Sequence, residues 1–304
     1  MAEQLNTGTP DSNAVEIPVV AETQLKTQLA QTMKQHESST DMNQASPPAA
    51  AVDVGAAAAE FVAMLLFVYV GCGAAAHEAS APDSQPGGIT DPAWTLCVAM
   101  AFGMAIMVLA YATAHTSGGQ INCAVTLALV LVGELSVKQG VANFGAQMLG
   151  SVCGAALLLA GSSGSSGADF VPRDFTGGLG SNAINPRYSI GTAFVNEMMM
   201  TFLLVFVVFE VAVSKRSSAA NCAPIAIGFA VLLAHLVCIP VTGCSINPTR
   251  SFGPAVVASL NGNKSVWDDH WLFWIAPLTG AAIAALGRGY FVVASNKQDE
   301  AKSQ

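Results

Sequence analysis

Apolar and polar residues come in long blocks along this chain, not in the alternation of a half-buried strand. Residues 1–50 are rich in Gln, Ser, Thr, Asn and acids, with no sustained apolar period; six apolar segments then follow at 54–76, 93–114, 141–161, 191–213, 223–241 and 271–293. Each has about the 20 residues that carry a helix across a bilayer core. Small residues recur through them, as in GAQMLGSVCGAA and LTGAAIAALG. In lipid, where packing drives association, such positions let helix backbones approach closely. Two further apolar stretches, 123–132 and 248–260, are too short to span and suit half-helices that re-enter the membrane. The pattern predicts an all-α membrane protein with a disordered tail over 1–50, a membrane domain over 51–295 and a short tail over 296–304. No apolar h-region lies near Met1, so the first span is expected to act as its own targeting signal.

Composition strengthens this picture. Of 304 residues, 52% are hydrophobic and only 11% charged, against roughly a quarter charged in a soluble domain. The formal charge of −8 comes mostly from acids in tails and loops, where it signals solvation, and no basic patch supports nucleic-acid binding. Seven cysteines are scattered without a Cys-x-x-Cys pair or a Cys/His cluster at zinc spacing, so no metal and no cofactor is expected. No nucleophile–base constellation suggests an enzyme. Lys26, Lys34, Lys138, Lys215, Arg216, Arg288, Lys297 and Lys302 fall on one side of the predicted spans, against Arg173, Arg187, Arg250 and Lys264. By the positive-inside rule that asymmetry puts both termini in the cytoplasm.

The chain also repeats itself. SGGQINCAVT at 117–126 returns as TGCSINPTRS at 242–251, and AEFVAMLLFVYV at 59–70 as NEMMMTFLLVFVV at 196–208, with Glu60 matching Glu197. Each half, about 55–161 and 190–293, holds three full spans, an odd number, so the second half enters the membrane upside down. In such inverted repeats the site lies near the midplane, between broken helices. Short helices entering from opposite faces bring their N-termini together there, each with about half a positive charge and unpaired N–H groups. Asn122 and Asn247 start these helices. At that position the side-chain oxygen caps the backbone while the NH₂ stays free to donate. Capping alone accounts for one such asparagine, not for a matched pair in equivalent halves. Two central donors favour a water oxygen, and the converging dipoles oppose cations, hydronium included.

Along residues 55–293 the chain resembles the aquaporin (major intrinsic protein) family, through SGGQINCAVT, GCSINPTRSFGPAVV, HWLFWIAPLTGAA and the two membrane glutamates in register. The resemblance implies the aquaporin fold: six transmembrane helices plus two re-entrant half-helices, arranged as an inverted repeat. It also implies a homotetramer in the lipid bilayer, in the plasma membrane rather than an internal one, with water as the substrate. The narrowest constriction is then expected at Phe102, His235, Cys244 and Arg250, which match the family's water-selective set. Glycerol-conducting relatives carry a smaller residue in place of the histidine and an Asp after the arginine, where Ser251 stands here. In that arrangement Arg250 and His235 donate to single-file water, while Phe102 is an apolar wall that cannot replace a larger solute's lost hydrogen bonds. A charge at membrane depth, such as Arg250, is expensive and functional by default. The family further implies that Glu60 and Glu197 accept hydrogen bonds from the re-entrant loops as structural supports. It implies, too, that a thiol at Cys244 lets mercurials block flow.

Departures from the family pattern are confined. Its usual triplet is Asn-Pro-Ala twice; here the triplets are Asn122-Cys123-Ala124 and Asn247-Pro248-Thr249. Proline suits a first helical position, where its missing N–H would be an orphan anyway. Cys123 restores that N–H, and Thr249 adds a methyl and a hydroxyl able to bond locally. Both asparagines remain, so the donor pair is expected to persist with some change in width or solute leakiness. Gln120 stands where relatives often carry histidine. SKRSSAAN at 214–221 sets basic residues before Ser217 and Ser218, a candidate phosphorylation site, and Asn263-Lys264-Ser265 is a glycosylation sequon. The sequence therefore points to a passive water channel that excludes protons and ions. Two alternatives compete with it: a broader facilitator of glycerol, ammonia, hydrogen peroxide or carbon dioxide, and a non-transporting junction protein with a degenerate pore.

Overall fold

A computed structural model describes residues 51–77, 91–166, 169–172, 174 and 176–302, of which 163–166, 169–172 and 289–302 are described by backbone alone. The tail expected over 1–50 lies outside the described residues. Among the described residues eight α-helices follow in order: α1 Val54–His77, α2 Pro92–Ser117, α3 Cys123–Leu131, α4 Val137–Gly161, α5 Ile190–Val208, α6 Ala223–Thr242, α7 Pro248–Leu260 and α8 Leu272–Lys302. A π-helical turn, Phe209–Val213, continues α5. Among the described residues six helical segments are long and apolar enough to cross a membrane; α3 and α7, with 9 and 13 residues, are not. In the connection between α4 and α5, β1 (Ser163–Ser166) pairs antiparallel with β2 (Asp169–Pro172), a short hairpin that the apolar pattern did not predict.

Local signals set where the helices begin. Asp91 caps α2 by accepting from the Ala93 N–H (2.7 Å), with Pro92 at the first helical position. Ser136 accepts from the Gln139 N–H and Ser189 from the Thr192 N–H, so α4 and α5 start at their caps. This is why α4 begins four residues before the apolar segment expected from 141: its first turn is polar but capped. At the other end of the chain, α8 continues through polar residues to Lys302, past the apolar limit at 293.

Close backbone packing follows the duplication. α1 packs on α4 and α5 on α8, equivalent pairs in the two halves. A Cβ on Gly150 of α4 would overlap the Phe61 carbonyl oxygen, and one on Gly280 of α8 would overlap the Met198 carbonyl oxygen. Phe61 and Met198 each follow a repeated glutamate, so the same contact is made twice. Between the halves, α2 crosses α6 at Gly103 and Gly228, each facing the other's carbonyl oxygen. Missing side chains here give van der Waals contact that lipid cannot offer. The outward faces stay apolar: Leu96, Met100, Met104 and Val108 on α2, and Ile225, Phe229 and Leu233 on α6, are exposed at helical steps of four. Surfaces apolar on both sides belong in a bilayer.

Candidate functional site

The loops that lead into α3 and α7 have one backbone conformation, used twice. Gly118 and Gly243 end α2 and α6 in the left-handed region, at φ 87° and 74°. The next residues, Gly119 (φ 59°) and Cys244 (φ 58°), match, as do Ile121 (φ 49°) and Ile246 (φ 45°). A positive φ is strained for any side chain and most for a β-branched one. The strain is held by carboxylates. Glu60 accepts from the Gln120 and Ile121 N–H groups at 2.8 and 2.7 Å, and Glu197 from the Ser245 and Ile246 N–H groups at 2.8 and 2.7 Å. Ser117 and Gln147 complete the donors on Glu60, and Thr242 those on Glu197.

With the loops so fixed, the starts of α3 and α7 abut. Asn122 Oδ1 caps α3 by accepting from the Ala124 N–H (2.8 Å), and Asn247 Oδ1 caps α7 by accepting from the Arg250 N–H (3.2 Å). Their amide nitrogens cross over: Asn122 Nδ2 donates to the Ile246 carbonyl (2.9 Å) and Asn247 Nδ2 to the Ile121 carbonyl (2.8 Å). An amide carries two N–H bonds, so each asparagine keeps one for a guest. Both side chains border a cavity of about 250 Å³ that runs from Glu134, Leu135 and Val213, on the face where α1 begins, to the midpoint of the fold. Cys123 does not border that cavity. Its side chain lines an apolar crevice of about 320 Å³ between α3, α4 and α8, beside Phe144, Trp274 and Leu278.

Beyond the midpoint, Phe102 and His235 stack with ring centroids 4.4 Å apart and planes at 22°. The Arg250 guanidinium carbon lies 4.7 Å from the Phe102 centroid, at cation–π distance. All three are buried, and Arg250 is the largest fully buried side chain. Arg250 Nη1 donates to the Gly180 carbonyl (2.9 Å), and His235 Nδ1 meets the Val231 carbonyl (2.8 Å). Arg250 Nε and His235 Nε2 are buried without a protein partner. Cys244, on the loop before α7, is buried and touches the thiol of Cys238.

Two groups of residues went unread in the sequence. One is the connection between α4 and α5: Asn182 accepts from Ser251 Oγ (2.7 Å) and donates to the Thr242 carbonyl, while the Asp174 side chain accepts from the Leu179 N–H and organises the turn that presents Gly180. No local pattern marks these loop residues. The other is a polar stripe on α4. Gln139 Nε2 donates to Asn143 Oδ1 (2.8 Å), Asn143 Nδ2 to Gln120 Oε1 (3.1 Å), and Gln147 Nε2 to Glu60 Oε2 (2.8 Å) and Thr126 Oγ1 (3.1 Å). Ser151 Oγ accepts from the Gly253 N–H of α7. Residues 139, 143, 147 and 151 recur every four, the signal of one helix face, and that signal was available.

The modification candidates sit apart from this centre. Ser218 is exposed; Ser217 is half-buried and donates to the Val211 carbonyl. Asn263 Nδ2, the atom a glycan would take, donates to the Gly177 carbonyl at 2.7 Å. Among the described residues no group of three His, Cys, Asp or Glu side chains could hold a metal.

Comparison with known proteins places this geometry. The family model described as "Major intrinsic protein" matches residues 49–287, and the chain belongs to that family. It is 40% identical over 269 residues to "Aquaporin PIP2-5" of Zea mays, covering 82% of this chain and 89% of that one. To "Aquaporin PIP2-4" of Oryza sativa subsp. japonica it is 42% identical over 260 residues, 79% of this chain and 86% of the relative. Among solved structures, the aquaglyceroporin from Plasmodium falciparum superposes with a TM-score of 0.62 at 20% identity, covering 77% of this chain and 94% of that one, and shows the fold alone. The protein is thus an integral, multi-pass membrane protein of aquaporin fold.

Proposed function

We propose that this protein is a passive channel, not an enzyme, that carries water in single file along an osmotic gradient and excludes protons and ions. One observation carries the proposal. Around Phe102, two buried nitrogens, His235 Nε2 and Arg250 Nε, have no protein partner. Burying a polar atom unpaired is costly, and a passing water repays it at both. Phe102 closes the third side with a ring that neither donates nor accepts. Phe102, His235, Cys244 and Arg250 then form the selectivity constriction, and Asn122 and Asn247 the central donors. Each asparagine's second N–H points a water's oxygen inward and its hydrogens outward, breaking the donor–acceptor wire that proton hopping needs. The N-termini of α3 and α7 add about half a positive charge each. Glu60 and Glu197 hold the loops and are not proton carriers.

The family membership and the aquaporin names of the relatives favour this function over a general solute facilitator or an inert junction protein. We also infer a homotetramer in the plasma membrane with both termini cytoplasmic, supported by the family and by the Lys/Arg distribution. Stopped-flow light scattering on proteoliposomes tests the function: fast osmotic shrinkage with no re-swelling in glycerol is expected. Shrinkage no faster than bare lipid defeats it.

A further inference from the structure

The two departures from Asn-Pro-Ala touch one another. Cys123 occupies the first position of α3, so its N–H is one of the donors a helix start leaves unpaired. Pro248, at the equivalent position of α7, has none. The Cys123 N–H donates across the junction of the half-helices to Thr249 Oγ1, at 3.4 Å. Thr249 in turn gives its only hydroxyl hydrogen to Asn247 Oδ1 at 2.6 Å, with Gln147 Oε1 further away at 3.5 Å. Asn247 Oδ1 therefore takes two donors, Thr249 and the Arg250 N–H, whereas Asn122 Oδ1, followed by Ala124, takes the Ala124 N–H. Every group in this chain of bonds is buried.

We propose that Cys123 and Thr249 form one coupled device, in which the backbone N–H of the first and the hydroxyl of the second fix the amide of Asn247. Thr249 is a positioning residue that acts through Asn247. Cys123 also borders the apolar crevice beside α4 and α8, and its thiol lies within reach of the Thr249 hydroxyl and N–H; the backbone N–H is the donor that a proline would delete. The consequence for selectivity rests on the water-channel function; the coupling itself does not. Steric and hydrogen-bond logic fixes the sign of each exchange. Proline at 123 deletes the N–H and sets its ring Cδ where that hydrogen pointed, against Thr249 Oγ1. Alanine at 249 leaves the Cys123 N–H buried and unpaired. Made together, the two changes restore Asn-Pro-Ala and remove both defects, so each departure is tolerated because of the other.

The full chain with Cys123→Pro, Thr249→Ala, Thr249→Val and the Cys123→Pro/Thr249→Ala pair separates this from independent effects. Thermal unfolding in detergent and osmotic water flux in proteoliposomes are both read. Each single change is expected to lower water flux about fivefold, the equivalent of one hydrogen bond, and to lower the unfolding temperature. The pair recovers both. Cys123→Ala, which keeps the N–H, and Thr249→Ser, which keeps the hydroxyl, retain both as well. Losses that multiply in the pair, to about 25-fold if each is fivefold, overturn the proposal, as does a Thr249→Val protein indistinguishable from Thr249→Ser. A pair that fails to fold overturns it too. If the unmodified chain passes no water, the channel function fails, while the unfolding temperatures still decide the coupling.

Discussion

Glu197 is surrounded by donors: the Thr242 hydroxyl and the N–H groups of Ser245 and Ile246. In Glu197→Gln one oxygen becomes an NH₂, which must face an N–H or a hydroxyl at hydrogen-bond distance. Losing a charge-assisted bond inside the fold costs about 1.5–3 kcal/mol, and with it the clamp on Ile246 at φ 45°. A clearly lower unfolding temperature is expected, and a fall in water flux, since Ile246 carries the carbonyl that Asn122 bonds. An unchanged unfolding temperature shows that the carboxylate is not what holds the loop. Cys244 gives a second residue-level prediction: Cys244→Ser keeps water flux and loses most inhibition by mercurials. Full block in that variant moves the target to Cys238, whose thiol it touches. Phe102, His235 and Arg250 could be named from sequence only through the resemblance to the aquaporin family, whose constriction positions keep fixed spacings to the asparagine motifs. The contacts of Gly180 could not, because a backbone carbonyl has no residue signature.

Helices were more legible than the loops between them. Both half-helices begin at their asparagines, as the short apolar stretches indicate, because polar caps followed by apolar runs mark a helix start. The same tripeptide has another use elsewhere. Ile184-Asn185-Pro186 is a second Ile-Asn-Pro, beside Ile246-Asn247-Pro248, yet it starts no half-helix. It lies against the end of α6, where the last carbonyls lack intrahelical partners. Asn185 Nδ2 donates to the Pro240 carbonyl, the Asn185 N–H to Val241, and Asn182 Nδ2 and the Ala183 N–H to Thr242. A motif thus means a pore only when an apolar helix follows it. Asn182 links this cap to Ser251 on α7, so it braces two elements at once. Asn182→Ala is expected to cost about 1–3 kcal/mol. It should also speed hydrogen exchange at the Ala183 and Asn185 amides. Exchange rates equal to the unmodified protein's place the bracing elsewhere.

Across the whole molecule, Glu60, Glu197 and Arg250 are the buried Asp, Glu, Lys and Arg side chains among the described residues. With both carboxylates ionised, they contribute −2 and the guanidinium +1. The N-termini of α3 and α7 contribute about +0.5 each, so the interior comes close to neutral. Inverted duplication explains why that balance has no sequence-level counterpart. The glutamates and half-helices come in pairs and cancel one another only in part, and the remainder falls to one arginine on one half. Its equivalent after Asn122 in the other half is Val125, which borders the cavity near the midpoint. Arg250→Ala removes the remaining compensation and opens the wall beside Phe102. Water flux in this variant is expected to hold or rise, while cation and proton leak rises about 10-fold or more, in keeping with roughly 1.4 kcal/mol per decade. A pH-sensitive dye inside the proteoliposomes measures the leak against the osmotic rate in the same preparation. Proton exclusion that survives without Arg250 assigns it to Asn122, Asn247 and the two helix termini alone; a leak without faster loss of water selectivity assigns it to the guanidinium charge.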